Sequence, residues 1–151
     1  MTSDAAIGHE HPDAVTYRRT ADAFRAGDLD TVASTIHEQV VWHFPGTSWM
    51  GQDVVGRSAL LGYLREMRQR TDGTFTLQDV CVSGWDDHVL AAQRFGATAN
   101  GETRSFDVTS VMRFDDGVQR ERWFHVHDQG GFDEFFARFE HPQQGEEEGL
   151  R

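Results

Sequence analysis

The sequence contains little cysteine, little proline and little positive charge. Cys81 is the only cysteine among 151 residues, which excludes a disulfide within the chain and is compatible with a reducing compartment. The chain has 3 prolines and a hydrophobic fraction of 38%. Because disordered chains have too few apolar residues to form a core, this composition predicts a folded protein. Acidic residues outnumber basic ones 25 to 14. The net charge of −11 therefore argues against nucleic acid and anionic membranes as partners.

Long hydrophobic runs are missing as well. No segment approaches the roughly 18 apolar residues of a membrane span, and the first residues lack the pattern of a signal peptide. A length of 151 residues fits one domain. We therefore expect a soluble, cytoplasmic, single-domain protein, with the domain at residues 12–139 between a flexible tail at 1–11 and an acidic flexible tail at 140–151.

The first half of the chain has mainly helical spacing. Apolar residues predict a helix over residues 13–26, which Gly27 ends, and a second helix that Asp28 caps. The segment 40–44 is rich in β-branched and aromatic residues and predicts a strand. A third helix begins near Ser58.

The second half of the chain has the alternation of β-strands. Four strands are predicted, at residues 74–83, 88–99, 103–114 and 118–127. Asn100-Gly101 and Asp116-Gly117 are typical of hairpin turns, so we expect an antiparallel meander. Cys81 alternates with Asp79 and is predicted to be a small core residue. A short C-terminal helix follows, and its aromatic stripe is predicted to make packing or dimer contacts: Phe132, Phe135, Phe136 and Phe139. Together these elements predict an α+β fold.

The element order resembles the SnoaL-like branch of the nuclear transport factor 2-like superfamily over about residues 13–139. The motifs that carry this resemblance are Ala26-Gly27-Asp28-Leu29-Asp30, Trp42-His43-Phe44-Pro45-Gly46 and Arg113-Phe114-Asp115-Asp116-Gly117-Val118. The resemblance implies a cone-shaped, curved antiparallel sheet wrapped around the N-terminal helices, with a ligand pocket at its open end. It also implies a homodimer through the convex sheet face. Members of the superfamily include isomerases, cyclases, epoxide hydrolases and proteins without chemistry.

Two specific activities of the superfamily lack their residues here. Ketosteroid isomerases carry a carboxylate directly before the proline that ends the first strand, where this chain has Phe44. Their oxyanion tyrosine corresponds to Thr20, and Tyr17 lies nearly one helical turn earlier. Epoxide hydrolases need an Arg-x-Asp pair on a strand, and the one at residues 113–115 runs into a hairpin turn. We therefore reject both activities.

The SnoaL-like polyketide cyclases imply a different candidate. Their carboxylate near the end of the last strand corresponds approximately to Asp128, although His127 is the alternative for the inward position. One hypothesis is thus an enzyme in which Asp128 is the base and His43, His127 or Tyr17 donates hydrogen bonds to a developing oxyanion. The alternative is that Asp128 caps the next helix and that His43 faces the outer surface or the dimer interface.

Large apolar side chains are abundant enough to line a ligand pocket. The candidate substrate-binding residues are Trp42, Phe44, Trp49, Tyr63, Met67, Trp123 and His125. We expect about half of the aromatic ones to contact a cavity and the others to pack in the core.

Metal binding has a weak signal. His125 and His127 share one strand face, and with His43 they could form a zinc site, but the spacing provides no carboxylate to orient them. We predict no metal and no cofactor. The chain is expected to bind a small hydrophobic, carbonyl-containing compound as a cofactor-free isomerase, cyclase or lyase. The alternative is a protein that binds such a compound unchanged, or a dimerising scaffold.

Overall fold

The computed structural model describes residues 7–140, which form an α+β fold with one curved six-stranded sheet. Its helices are α1 (Pro12–Ala26), α2 (Leu29–Ser34), α3 (Arg57–Arg70) and α4 (Gln129–Phe136), with a 3₁₀ turn at Ala137–Phe139. Its strands are β1 (Ile36–Phe44), β2 (Gln52–Val55), β3 (Thr76–Trp85), β4 (His88–Ala99), β5 (Glu102–Asp115) and β6 (Val118–Val126). The strand order is β2-β1-β6-β5-β4-β3, with β1 parallel to β6 and the other neighbours antiparallel. The predicted α+β class is confirmed.

Local capping explains the N-terminal helices. His11 accepts a hydrogen bond from the backbone N–H of Asp13 at 3.0 Å, and Gly27 ends α1 with a left-handed φ of 77°. The Asp28 carboxylate then accepts from the backbone N–H of Thr31 at 3.1 Å and starts α2. These bonds satisfy amides that have no partner inside a helix. The Asp28 cap was predicted from the sequence, whereas the His11 cap was not.

Two features of the first half differ from the prediction. Strand β1 begins at Ile36, four residues earlier than predicted, and this shortens α2. The short strand β2 was not predicted. It has one buried side chain, Val54, and is held in the sheet by antiparallel pairing with β1, which local sequence does not encode.

The hairpins of the second half match the prediction. Asn100 and Gly101 have φ values of 53° and 83°, and Asp116 and Gly117 have values of 57° and 84°. Consecutive positive φ values suit two-residue turns whose twist matches that of the strands. Strands β3 to β6 therefore form the predicted antiparallel meander.

Two β-bulges change which side chains share a face. Val80 is unpaired between Asp79 and Cys81 in β3, and Arg120 is unpaired between Gln119 and Glu121 in β6. An extra residue reverses the alternation of a strand beyond it. Cys81 is consequently exposed, and the prediction that it lies in the core is wrong.

The aromatic stripe of the C-terminal segment packs in the core, which is the first of its two predicted roles. Its four phenylalanines, Phe132, Phe135, Phe136 and Phe139, are all 0% exposed. The Phe106 ring of β5 lies 5.4 to 6.2 Å from three of them, centroid to centroid. The helices pack on one side of the sheet, which we call the inner face. Helix α4 covers part of this inner face.

The predicted tails are only partly described. Residues 1–6 and 141–151 lie outside the described residues. Gly8 forms an antiparallel bridge with Gly84, so the segment just before α1 contacts the end of β3. None of the described helices is long and apolar enough to span a membrane.

Candidate functional site

A pocket opens between the inner face of the sheet and helices α1 and α3. Its volume is about 550 Å³ with the open mouth included. It is lined by Tyr17, Thr20, Ala21, Phe24, Val32, Ile36, Trp42, Phe44, Tyr63, Leu64, Met67, Phe75, Leu77, Gln93, Phe95, Arg122 and Phe124. Most of these side chains are apolar and many are aromatic. The pocket is narrow and suits a small, flat, apolar molecule.

Arg122 is the charged side chain in the pocket wall. It is 4% exposed, and its Nε donates to Ser110 Oγ at 3.1 Å while its Nη2 donates to Gln93 Oε1 at 2.9 Å. Three aromatic rings lie against the guanidinium, at centroid distances of 5.1 Å for Tyr17, 4.9 Å for Trp42 and 4.4 Å for Phe124. Aromatic faces attract a cation. These contacts hold the Arg122 guanidinium in one orientation.

A hydrogen-bond chain leads from the pocket to the protein surface. Gln93 Nε2 donates to the Tyr17 hydroxyl at 2.5 Å and to Asp79 Oδ1 at 3.2 Å, and the Tyr17 hydroxyl donates to the same Asp79 oxygen at 3.1 Å. The Asp79 side chain is 15% exposed and lies 3.7 Å from Arg25 Nη1. Burial raises the pKa of Tyr17 to about 12, so its hydroxyl is protonated at neutral pH.

A second set of bonds fixes two aromatic walls of the pocket. Trp42 Nε1 donates to Gln119 Oε1 at 2.7 Å, and the Tyr63 hydroxyl donates to the Met50 carbonyl at 2.7 Å. Burial raises the pKa of Tyr63, which therefore remains neutral. Among the described residues, Gln119 Nε2 is the buried side-chain atom that lacks a hydrogen-bond partner.

The lining chemistry is that of hydrogen-bond donors. Arg122, Tyr17 and Gln93 carry N–H or O–H groups that can donate hydrogen bonds. Among the described residues, no carboxylate, imidazole or thiol lines this pocket. Burial lowers the pKa of the Arg122 guanidinium, but arginine starts so high that it stays charged at neutral pH. The pocket can therefore stabilise an electron-rich oxygen, while a general base is not among its lining groups.

Comparison with known proteins identifies the family. The model of the SnoaL-like domain matches residues 17–123, most of the chain. The chain belongs to the SnoaL-like domain family. This confirms the resemblance derived from the sequence motifs. A search of curated proteins found no match.

Solved structures share the fold of this SnoaL-like domain. Bal32a from a soil-derived mobile gene cassette is 29% identical, with a TM-score of 0.79 over 83% of this chain and 96% of that one. A Xanthomonas campestris protein of unknown function with a cystatin-like fold is 25% identical, with a TM-score of 0.76 over 83% and 98%. TerC co-crystallized with polyporic acid is 19% identical, with a TM-score of 0.74 over 83% and 98%, and shows likeness of fold alone.

Five residues predicted for the site of the SnoaL-like domain do line the pocket. They are Tyr17, Trp42, Phe44, Tyr63 and Met67. Trp42 and Phe44 point inward on β1, as strand alternation predicted, while the helical spacing of α3 brings Tyr63 and Met67 to the same side. Trp49 is not a lining residue. Its Nε1 donates to the Phe136 carbonyl at 3.0 Å and its ring packs beneath Arg70, so it fastens a loop to α4.

Asp128 and His127 lie outside the pocket. The Asp128 carboxylate is exposed and accepts from the backbone N–H of Gly131 at 3.0 Å, which caps α4. His127 is exposed and its Nε2 lies 2.8 Å from Thr109 Oγ1. Neither of these predicted catalytic side chains lines the pocket. The helix cap, weighed as the alternative for Asp128, is what the structure contains.

His43, Trp123 and His125 lie on the opposite, outer face of the sheet. Because Phe124 and Val126 are buried on the inner face, alternation directs Trp123 and His125 outward. The prediction that these three side chains serve the pocket is therefore corrected. Trp123 is 41% exposed, and the His43 ring stacks on it with centroids 5.9 Å apart.

His43 takes part in a small ionic cluster on that face. Its Nε2 lies 2.7 Å from Glu121 Oε2 and its Nδ1 lies 3.1 Å from Asp53 Oδ1. The hydrogen bond to Glu121 raises the pKa of His43 above its ordinary value and lowers the pKa of Glu121. Within residues 7–140, no group of three or more His, Cys, Asp or Glu side chains is arranged to hold a metal ion.

Sequence reasoning missed Arg122, Gln93 and Asp79. Arg122 had a usable signal, because it precedes Phe124 by two residues and so shares its face. Gln93 alternates with Phe95 in the same way. Asp79 had no local signal, because it is aligned with Gln93 by strand pairing just before the bulge at Val80.

Proposed function

We propose that this SnoaL-like domain binds a small, largely apolar compound with an electron-rich oxygen, such as a carbonyl, in the pocket between α1, α3 and the sheet. The observation that carries the proposal is the buried Arg122 guanidinium in an otherwise apolar wall. A few fixed polar groups among aromatic side chains are typical of small-molecule sites. The oxygen would accept from Arg122 while the flat body of the compound packs against the rings.

Binding is better supported than acid-base catalysis. Arg122 and Tyr17 can donate hydrogen bonds to an oxyanion, as an isomerase, cyclase or lyase acting without a cofactor would require. Such an enzyme also needs a proton acceptor, and the lining side chains provide none. The whole sequence contains no lysine, so a Schiff base on a lysine side chain is excluded. Binding without turnover is therefore our first proposal, and cofactor-free catalysis is the second.

The experiment uses the intrinsic fluorescence of Trp42, which lines the pocket. We expect 2-acetylnaphthalene, a flat apolar ketone, to change the tryptophan fluorescence saturably in the wild type. Trp85→Phe is the matched control, because Trp85 is an exposed residue at the end of β3. The signal should persist in Trp85→Phe and be largely lost in Trp42→Phe. A wild-type protein without a saturable response would contradict the proposal.

The same mixture separates binding from catalysis. After prolonged incubation, mass spectrometry of the recovered ketone should show it unaltered if the pocket only binds. A product that forms with the wild type and not with Arg122→Met would instead support the enzyme. Product formation that is unchanged in Arg122→Met would contradict a role of this pocket in the chemistry.

A dimerising scaffold is supported by the outer face of the sheet. Trp123 is a large aromatic side chain at 41% exposure in the middle of that face, next to His43. Exposed aromatic residues of this kind are enriched in protein interfaces. We propose a homodimer through this face. Sedimentation equilibrium should give twice the monomer mass, and Trp123→Glu should shift the protein to monomer without changing ketone binding.

A further inference from the structure

We infer that the pocket selects an anionic oxygen, so that the ligand is an apolar acid bound as its carboxylate or as an acidic enolate or phenolate. This inference rests on the proposed binding function and narrows the class of ligand. It concerns the charge on the ligand oxygen, which the proposed function leaves open between a neutral carbonyl and an anion.

Arg122 differs from the other arginines among residues 7–140 in being buried. Five partly exposed arginines have a carboxylate within 2.6 to 3.7 Å: Arg25, Arg70, Arg94, Arg113 and Arg138. Arg122 is the buried one, and it has no carboxylate within ion-pair distance among residues 7–140. Its oxygen partners are the neutral side chains of Gln93 and Ser110. A buried guanidinium is thus left without a counter-ion.

The carboxylate closest along the hydrogen-bond chain is that of Asp79. Asp79 is connected to Arg122 only through the amide of Gln93 and the hydroxyl of Tyr17. Arg25 lies 3.7 Å from Asp79 on its other side. Arg25 also pairs with Asp22 at 2.8 Å. Asp79 makes no ion pair with Arg122, so the positive charge of the Arg122 guanidinium has no carboxylate in direct contact.

An anion in the pocket would compensate that charge. Taking an arginine out of water is unfavourable, and a hydrogen-bonded partner of opposite charge offsets the penalty in a site of low dielectric constant. The guanidinium has five N–H donors, of which the two bonds to Gln93 and Ser110 use two. A neutral carbonyl could accept a hydrogen bond but would leave the charge uncompensated.

The surrounding side chains determine the rest of the ligand. The rings of Trp42 and Phe124 border the guanidinium, and the remaining lining is almost entirely apolar. Inorganic anions and polar acids would lose hydration without gaining apolar contacts. The fitting class is therefore a small flat or aliphatic acid with one charged group.

The test compares two probes of nearly equal shape, 2-naphthoate and 2-naphthamide, by calorimetric titration at about pH 7.5, where the acid is ionised. We expect the wild type to bind the carboxylate at least about tenfold more tightly than the amide. In Arg122→Met this preference should fall to within about twofold. Arg94→Gln is the matched control, because Arg94 pairs with Asp107 in an exposed position, and it should keep the wild-type preference.

A second variant keeps the test decisive if Arg122→Met does not fold. The double substitution Gln93→Glu with Asp79→Asn leaves the net charge unchanged and moves the carboxylate to within reach of Arg122. The introduced carboxylate should occupy the guanidinium and weaken naphthoate binding about tenfold, with little change for naphthamide. Undiminished naphthoate binding in this variant would overturn the inference.

The outcomes separate this inference from the proposed function. Equal affinity of the wild type for both probes would overturn the anion preference and leave small-molecule binding intact. Binding of naphthamide without binding of naphthoate would also overturn the anion preference and leave small-molecule binding intact. Failure of the wild type to bind either probe would overturn both proposals.

Discussion

The two faces of strand β6 present opposite chemistry within nine residues. Its outer face carries Glu121, Trp123 and His125, which lie at least partly exposed at the surface. Its inner face carries Arg122 and Phe124, which line the pocket. The outer face has more titratable groups, and the inner face has one cation that lacks a counter-ion. Within β6, the buried cation without a carboxylate partner among residues 7–140 therefore lies in the pocket, whereas the cluster of ionisable residues lies on the outer face.

The physical reason is the difference in solvent. At the surface water screens charges, so an ion pair such as that of His43 with Glu121 contributes little to stability. In the interior each polar atom must be bonded and each side chain must fill space, so the loss of one contact is expensive. Substitutions at matched inner and outer positions should therefore differ in effect, and the following four predictions run from the largest expected difference to the smallest.

Replacing an inner aromatic ring should have the largest effect. The Phe44 ring packs against those of Phe95, Phe124 and Phe132 at centroid distances of 4.7 to 6.3 Å. Phe44→Ala should lower the free energy of unfolding by about 3 to 5 kcal/mol, measured by urea denaturation. Val55→Ala, at a 67% exposed position on the outer face of β2, should lower it by less than about 1 kcal/mol. Similar losses for the two variants would remove the distinction between the faces.

Gln93 and Arg94 are neighbours on β4 and allow a buried polar side chain to be compared with an exposed one. Gln93 is 2% exposed and bonds Arg122, Tyr17 and Asp79. Gln93→Leu should lower the free energy of unfolding by about 2 to 3 kcal/mol, because the buried Arg122 guanidinium loses one of its hydrogen-bond acceptors. Arg94→Leu should cost less than about 1 kcal/mol. Urea denaturation measures the free energy of unfolding of both variants. Equal losses would mean that the buried hydrogen bonds of Gln93 contribute no more to stability than the exposed ion pair of Arg94.

The outer ionic cluster should have a smaller, pH-dependent effect. The pKa of His43 is raised above its ordinary value of 6.5, so its contribution is complete below pH 6.5 and is lost as the pH rises through the raised value. The pKa of Glu121 is lowered from 4.5, so its contribution is present above pH 4.5 and is lost as the pH falls through the lowered value. The pair of His43 and Glu121 therefore stabilises the fold most between pH 4.5 and pH 6.5.

The measurement is the unfolding free energy of His43→Gln at two pH values. We expect a loss of up to about 1 kcal/mol at about pH 5.5 and a smaller loss at about pH 8.5, since both side chains are partly exposed. His125→Gln is the control, because among residues 7–140 no carboxylate pairs with His125. A His43→Gln effect that is independent of pH would mean that stacking on Trp123, and not charge, is what stabilises His43.

Cys81 provides the smallest effect. It lies just after the bulge at Val80 and is exposed. Cys81→Ser should change the unfolding free energy by less than about 0.5 kcal/mol, because no buried contact is lost. A thiol reagent should modify Cys81 completely in the folded protein. Protection of this thiol until unfolding would mean that the alternation of β3 is not reversed at Val80.

Much of the fold could be predicted from short stretches of sequence. Asp28 caps a helix, Asn100-Gly101 closes a hairpin and the phenylalanine stripe from Phe132 packs in the core, because each outcome depends on residues a few positions apart. The same holds for Trp42 and Phe44 in the pocket. The site was predicted less well, since Trp123 and His125 were assigned to the pocket by side-chain type although Phe124 and Val126 define the opposite alternation.

The amino-acid sequence by itself determined the order of the helices and strands other than β2, the hairpin turns and membership of the SnoaL-like family, since these depend on local conformational preference and periodicity. Only the tertiary structure decided which polar groups meet in the pocket. The unpaired Val80 and Arg120 reset the two faces of their strands, and strand pairing aligns Asp79 with Gln93. Arg122 then lies among rings from α1, β1 and β6, where no carboxylate of the described residues forms an ion pair with it.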